Sequence, residues 1–352
     1  MNISKKRLKQ EIVTPSRRFT KFLLETYYSL RSVFKKINLD ESKTPTLIWD
    51  IRSNPITFDF IWLIIDTNNY FREYGFFEYD LVIFIPQGYE QKPFKWNSYD
   101  QFFTSEDLMK RIKNMIVPLA ESFSCVRKVI FETDSNVLKN KYKNIIKYPR
   151  FYDPFSYFPN PIRYSLAISS ISTNDKKLIP FFEVKNFDNN EKITDPYATL
   201  TLRDHGYSPL RNSSQKDIDE FIKFATSLNF KPVIVPDDIE QLPKYNFPEN
   251  IIICSNARFS IFNRILLYSG SEMNIFPPSG PFYVSLFLKN TKSVMYNIGV
   301  NWDDDEPPKV RKIYGYDLGD QPYINLNGKL IWHEITPRFS CENLQEIYAS
   351  LG

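Results

Sequence analysis

Residues 46–85 read TLIWDIRSNPITFDFIWLIIDTNNYFREYGFFEYDLVIFI. Two short apolar runs, 46–51 and 80–85, flank a segment, 57–74, that suits a helix opened by Thr57. A strand buried on both faces has no polar side to alternate with. Unbroken apolar strands separated by a helix therefore predict a parallel sheet covered on both sides. Working outward, the rhythm continues as helix 105–121, strand 128–131, helix 135–143 and strand 144–147. It stops in residues 149–196, where six prolines and many aromatics suit an irregular connection, with a helix near 163–171. It resumes with strands 198–202, 232–235, 251–254, 273–276 and 293–296. Helices 214–228, 259–269, 281–288 and 341–350 accompany them. The predicted organisation is an arm (1–44), an α/β domain (45–150), a connection (151–196), a second α/β domain (197–325) and a C-terminal segment with its helix (326–352).

The 352 residues fit two domains of roughly 150 residues each. Hydrophobic residues at 42% and charged residues at 24% are the balance of a folded globular chain. With only 10 glycines, neither G-x-G-x-x-G nor G-x-x-x-x-G-K-[ST] occurs, which excludes the dinucleotide fingerprint and the Walker loop. Cys125, Cys254 and Cys341 are far apart and only 2 histidines exist, so no metal cofactor, iron–sulfur cluster or disulfide framework is expected. Phe60 to Ile65 is the most apolar stretch, far short of the roughly 20 residues that span a bilayer. With no signal-like apolar core at residue 1, a cytoplasmic location is expected.

The net charge of +4 is unevenly spread: residues 1–40 carry +7 and the remainder −3. Phe19, Phe22, Leu23, Tyr27, Leu30, Val33, Phe34 and Ile37 recur at helical spacing, giving an amphipathic helix of about five turns. Two readings of this arm stand. One is a helix packed on the body with solvated basic flanks. The other is a peripheral contact with an anionic inner membrane face, where each Lys or Arg contributes about 1 kcal/mol. No nucleic-acid partner is expected. The acidic loop 302–306 reads as solvated charge.

In an open parallel sheet, ligands gather beyond the carboxyl ends of the strands. After strand 198–202 come Arg203, Asp204 and His205, then Arg211, Asn212 and Ser213 before a helix. Asp237 and Asp238 follow 232–235, Arg258 follows 251–254, and Ser279, Gly280 and Pro281 follow 273–276. Amide-rich helix starts favour anions, and the forked donors of Arg203 and Arg211 suit phosphate. Together they predict a diphosphate cradle. Taken singly, the small residues also read as ordinary caps and the arginines as surface ion pairs.

Three segments carry a family likeness: TLRDHGYSPLRNSS (201–214), PVIVPDD (232–238) and ARFSIFNRILLYSGSEMNIFPPSGP (257–281). Together they resemble the donor-binding half of GT-B glycosyltransferases, nearest to bacterial heptosyltransferase-like sugar transferases. WDIRSNPITFDF (49–60) resembles the first strand and acceptor-side loop of that class. Pro277 and Pro278 depart from it, where a small or polar residue is more usual. The resemblance implies two Rossmann-like domains facing a cleft and transfer from a nucleotide-sugar to an acceptor hydroxyl; the basic arm alone suggests that the acceptor is a glycan or is lipid-linked. The resemblance further implies inversion at the transferred carbon, no metal, and a role in cell-surface polysaccharide or glycolipid synthesis. A leaving diphosphate needs countercharge from Arg203, Arg211 and the helix ends. The acceptor hydroxyl needs a base, with Asp59 the first candidate and Asp50 the second. Arg52 is expected to face the phosphates across the cleft, and His205 to contact phosphate or sugar. Rival readings remain open at this point: a fucosyltransferase-type enzyme or nucleotide-sugar epimerase of the same fold, or a catalytically silent membrane- or partner-binding scaffold.

Overall fold

The computed structural model describes residues 43–52, 54, 56–88, 104–150, 152–155, 164–173, 179–183, 193–206, 209–236, 239–299, 314–333 and 339–352. The arm helix, Asp237 and the acidic loop 302–306 lie outside these residues.

Two parallel sheets form, as the apolar runs predict. The first contains β1 (Thr46–Asp50), β2 (Tyr79–Phe84), β3 (Val126–Glu132) and β4 (Lys147–Tyr148), in the order β3-β2-β1-β4. The second contains β5 (Tyr197–Leu202), β6 (Lys231–Pro236), β7 (Ile252–Ile253), β8 (Met273–Phe276), β9 (Ser293–Ile298) and β10 (Gly328–Trp332), in the order β10-β9-β8-β5-β6-β7. In each sheet the first strand is central and the strand order reverses beside it, between β1 and β4 and between β5 and β8. A crevice at that switch point is where doubly wound sheets take ligands. Every residue of β1, β2 and β5 is buried, which is why these strands show no polar alternation.

Several predicted bounds shift for local reasons. The first helix, α1, is Phe60–Arg72 and does not start at Thr57. The Thr57 hydroxyl engages the Asp59 side chain at 3.0 Å and leaves the helix uncapped by a side chain. Helix 105–121 is interrupted: α2 (Ser105–Arg111) and α3 (Val117–Ser122) are joined by a π-helical turn, Ile112–Ile116. Pro118 lacks an N–H and crowds the preceding turn, and the wider turn absorbs it. Helix α4 (Ser135–Lys141) follows β3, and α5 (Tyr164–Thr173) lies in the connection. Helix 259–269 divides at Ser260, which turns extended and caps a new helix by accepting from the Asn263 N–H at 3.2 Å. The elements of the second half are thus α6 (Gln215–Ser227), α7 (Asn256–Phe259), α8 (Ile261–Ser269), α9 (Pro281–Leu286) and α10 (Cys341–Ser350). Sequence reading misses β10 entirely, because GKLIW follows a polar turn and is short. It pairs parallel with β9 at the sheet edge.

The two halves share one hydrophobic core. Helix α1 is buried on nearly all sides, and its Trp62 is fully enclosed. The Trp62 ring meets Tyr283 at 4.9 Å, Phe287 at 5.8 Å and Tyr323 at 6.0 Å, all from the second half. Phe182 of the connection bridges Phe123 on one side and Leu288 on the other. Within the second sheet, Thr199 Oγ1 donates to Asn274 Oδ1 at 2.7 Å, and Asn274 Nδ2 donates to the Tyr268 carbonyl at 2.9 Å. These bonds fasten β5 to β8 and to α8 beside the switch point.

Candidate functional site

The loops leaving β5 and β8 meet. Arg211, in a 3₁₀ turn at Pro209–Arg211, donates through Nε (3.0 Å) and Nη2 to the Pro278 carbonyl. The departure noted at 277–278 thus lies where a main-chain carbonyl anchors the Arg211 guanidinium. Next to it, the Ser279 hydroxyl is buried with no hydrogen-bond partner among the described residues. Such an orphan in a folded core calls for a reason.

Arg203 lies elsewhere in the arrangement. It is 6% exposed, and its Nη1 donates to Asn212 Oδ1. Asn212 is a hub: Oδ1 also accepts from the His205 N–H at 3.1 Å, and Nδ2 donates to the His205 carbonyl at 3.2 Å. Ser213 Oγ accepts from the Arg203 N–H at 3.1 Å and from the Tyr296 hydroxyl at 3.3 Å. Arg203, Asn212, Ser213 and the His205 backbone thus fold the loop that presents Arg211. Ser214 accepts from the Asp217 N–H, and the Asp217 carboxylate accepts from the Ser214 N–H at 2.8 Å. That reciprocal cap fills the start of α6 with the chain's own carboxylate, where an anion had been expected. Burial pushes the Asp217 carboxyl up. The backbone of Arg258 lies in α7.

Across from these loops stand residues that follow β1. Asp50 is 3% exposed and fully engaged. It accepts from Arg52 Nη2 at 2.6 Å, from the Arg52 N–H at 2.9 Å and from the Tyr152 hydroxyl at 2.7 Å. Arg52 also donates to the Pro154 carbonyl at 2.8 Å and lies over the Phe84 ring at 5.0 Å. Arg52 and Asp50 thus form a clasp across the β1/β4 switch point.

Asp59 differs. It is partly exposed at the head of α1, and burial raises its carboxyl above the ordinary range. The hydrogen bond from the Thr57 hydroxyl at 3.0 Å and the charge of Arg211 pull the other way. Asp59 of the first half and Arg211 of the second thus share one electrostatic neighbourhood. The backbone confirms the closeness: a Cβ on Gly280 would meet the Phe58 ring at 2.5 Å. Glycine is needed there because the two halves touch. Pro281 then occupies the first position of α9, where a missing N–H costs nothing.

Tyr164, Tyr283 and Tyr314 ring this spot and escape sequence reading. Aromatic abundance in residues 149–196 was the only signal for Tyr164, and it does not say which rings converge; Tyr283 and Tyr314 had none. Among the described residues, no group of three or more His, Cys, Asp or Glu is arranged to hold a metal. A cavity of about 640 Å³ opens at the opposite, amino-terminal ends of the sheets, beside Arg72, Cys125, Phe181, Leu288 and Asn325; none of the site residues lines it.

Neither a protein-family model nor a curated protein matches the chain. Among solved structures, it is similar to a family 9 glycosyl transferase from Veillonella parvula (11% identity, 89% of this chain and 98% of that one, TM-score 0.49). It is similar also to ADP-heptose LPS heptosyltransferase II from E. coli (10% identity, 88% and 98%, TM-score 0.46). A third is the E. coli heptosyltransferase WaaC with ADP (8% identity, 87% and 97%, TM-score 0.41).

Proposed function

We propose that this chain is a glycosyltransferase, moving a sugar from a nucleotide-sugar donor to a hydroxyl acceptor across the cleft between its two sheets. One observation carries the reading. The loop of Asp59 and the loop that anchors Arg211 on Pro278 touch where Phe58 meets Gly280, which brings a carboxyl and a guanidinium of opposite halves into one neighbourhood. The acceptor oxygen attacks the anomeric carbon of the donor and gives its proton to Asp59. The bond from that carbon to the diphosphate oxygen breaks, and its electron pair leaves with the nucleoside diphosphate. Arg211 stabilises the charge that develops, with the unpartnered Ser279 hydroxyl a further donor. Attack opposite the leaving group inverts the carbon. Arg203 and Asn212 act indirectly, through the loop that they hold. The acceptor is taken to be a glycan or lipid-linked hydroxyl of cell-surface synthesis. The basic arm, residues 1–40, is taken to rest on the inner membrane face.

A panel of UDP-, GDP-, ADP- and CMP-sugars tests the reading by thermal shift. At least one should raise the melting temperature, and Arg211→Ala should abolish that rise. Asp59→Asn should keep the rise while lowering transfer by roughly 10²–10⁴-fold, the usual range for a lost general base. Transfer should persist in EDTA. A protein unmoved by every donor is instead a scaffold.

A further inference from the structure

Asp204, the second residue after β5, has no part in the transfer described above, yet its carboxylate is engaged on both oxygens. Oδ2 accepts from Lys244 Nζ at 2.8 Å, and Oδ1 accepts from Asn212 Nδ2 at 3.5 Å. The Asp204 side chain is 16% exposed and that of Lys244 57% exposed, so the pair closes at the rim of the second sheet. Lys244 ends the 3₁₀ turn Ile239–Lys244, which follows β6. The next residue, Tyr245, brings its hydroxyl to 3.4 Å from Asp204 Oδ2 and donates to the Ser213 carbonyl at 3.2 Å. The Asn246 N–H then donates to Gln215 Oε1 at 2.9 Å, and Gln215 Nε2 donates to the Asn246 carbonyl at 3.1 Å.

The segment after β6 therefore grips the chain between β5 and α6 at both of its ends: Asp204 at the start, Ser213 and Gln215 at the finish. It is itself anchored, because Leu242, Tyr245 and Phe247 pack on the core of the second sheet. Between the two grips stands Arg211, whose guanidinium rests on the Pro278 carbonyl of another loop. Its neighbour Asn212 joins Asp204 to Arg203 and His205. A guanidinium carried by a loop is held no better than the loop is, and a functional group needs a supporting shell to keep its place. An exposed ion pair contributes little to global stability, so the effect of this one belongs to the loop.

We propose that Asp204 is a positioning residue: by clasping Lys244, its carboxylate ties the segment after β6 to the loop after β5 and so holds Arg211 on the Pro278 carbonyl, at the place assigned to the donor's diphosphate. The inference rests on Arg211 being the diphosphate contact of the proposed transfer.

Lys244→Met breaks the ion pair at an exposed side chain and leaves the apolar anchors in place. The Nε–H of Arg211, followed in the full chain by ¹⁵N NMR of labelled arginine and assigned by the signal lost in Arg211→Lys, reads the consequence with no donor present. It should exchange with solvent about two- to fivefold faster in Lys244→Met, and about tenfold faster in Asp204→Ala, which removes the Tyr245 and Asn212 contacts as well. Lys223→Met, which breaks the exposed pair with Glu220 on α6, should leave that exchange unchanged. A donor that raises the melting temperature should bind Lys244→Met more weakly by the same factor as the exchange accelerates. Unmoved exchange in Lys244→Met overturns the proposal whether or not sugar is transferred, and so does equal acceleration in Lys223→Met. Faster exchange in a protein whose donor binding is unchanged, or that binds no donor, sustains the link from Asp204 to Arg211 and overturns the assignment of Arg211 to the diphosphate instead.

Discussion

A carboxyl serves as a base only if its lone pairs are free and its proton affinity lies near working pH. Asp50 ends β1 and Asp59 follows it, yet their surroundings differ. Asp50 spends its oxygens on Arg52 and Tyr152. Among the described residues, Asp59 accepts from the Thr57 hydroxyl alone and is raised by burial. The raised value has a consequence for stability. Between the unfolded carboxylate pKa, about 3.9, and the higher native value, the native state binds more protons than the unfolded one. Stability therefore declines as pH rises through that window and stays reduced above it. Asp59→Asn should make the protein more stable than the natural chain at neutral pH, by about 2–4 °C in melting temperature for each kcal/mol regained. The gain should shrink as pH falls toward 4. Melts of both proteins across that range check the sign. A destabilised variant at neutral pH would mean that the carboxylate is needed for folding.

Elements set where such residues can stand. Helix α1 is buried almost all round and carries Asp59 at its head against the second half. The contact that fixes the spacing is Phe58 on Gly280, so Gly280→Ala should push the two loops apart. Overpacking of this kind costs about 1–3 kcal/mol. Denaturant melts should register that loss, and Phe58→Ala in the same chain should restore part of it. Additive effects of the two changes would show that they do not share a contact. At the start of α6, Ser214→Ala should cost about 1 kcal/mol by removing a reciprocal cap, with donor binding unchanged. Weakened donor binding there would mean that the helix start holds the anion after all.

At the scale of the molecule, the two sheets are not independent bodies joined by a tether. Trp62 sits among rings of the second half, and the connector contributes Tyr164 and Phe182 to both sides. With a shared core, heating should produce one cooperative transition, seen together by near- and far-UV circular dichroism. Trp62→Ala should lower stability by about 3–5 kcal/mol and separate the transition into two. A natural chain that already melts in two steps would mean that the shared core contributes little to coupling.

The parallel pairing and every strand but β10 were legible because buried strands and amphipathic helices leave different apolar spacings in the chain. Arg211 and Asp59 were legible as candidates because they stand near helix starts after strand ends. Their meeting was not, since it depends on a glycine under a phenylalanine and on rings far apart in sequence. Nor could spacing tell that Asp50 is clasped by Arg52. Periodicity reports which face of an element is buried. Only the packed structure decides which partners wait on that face, because proximity across the cleft is set by side-chain volume and not by distance along the chain.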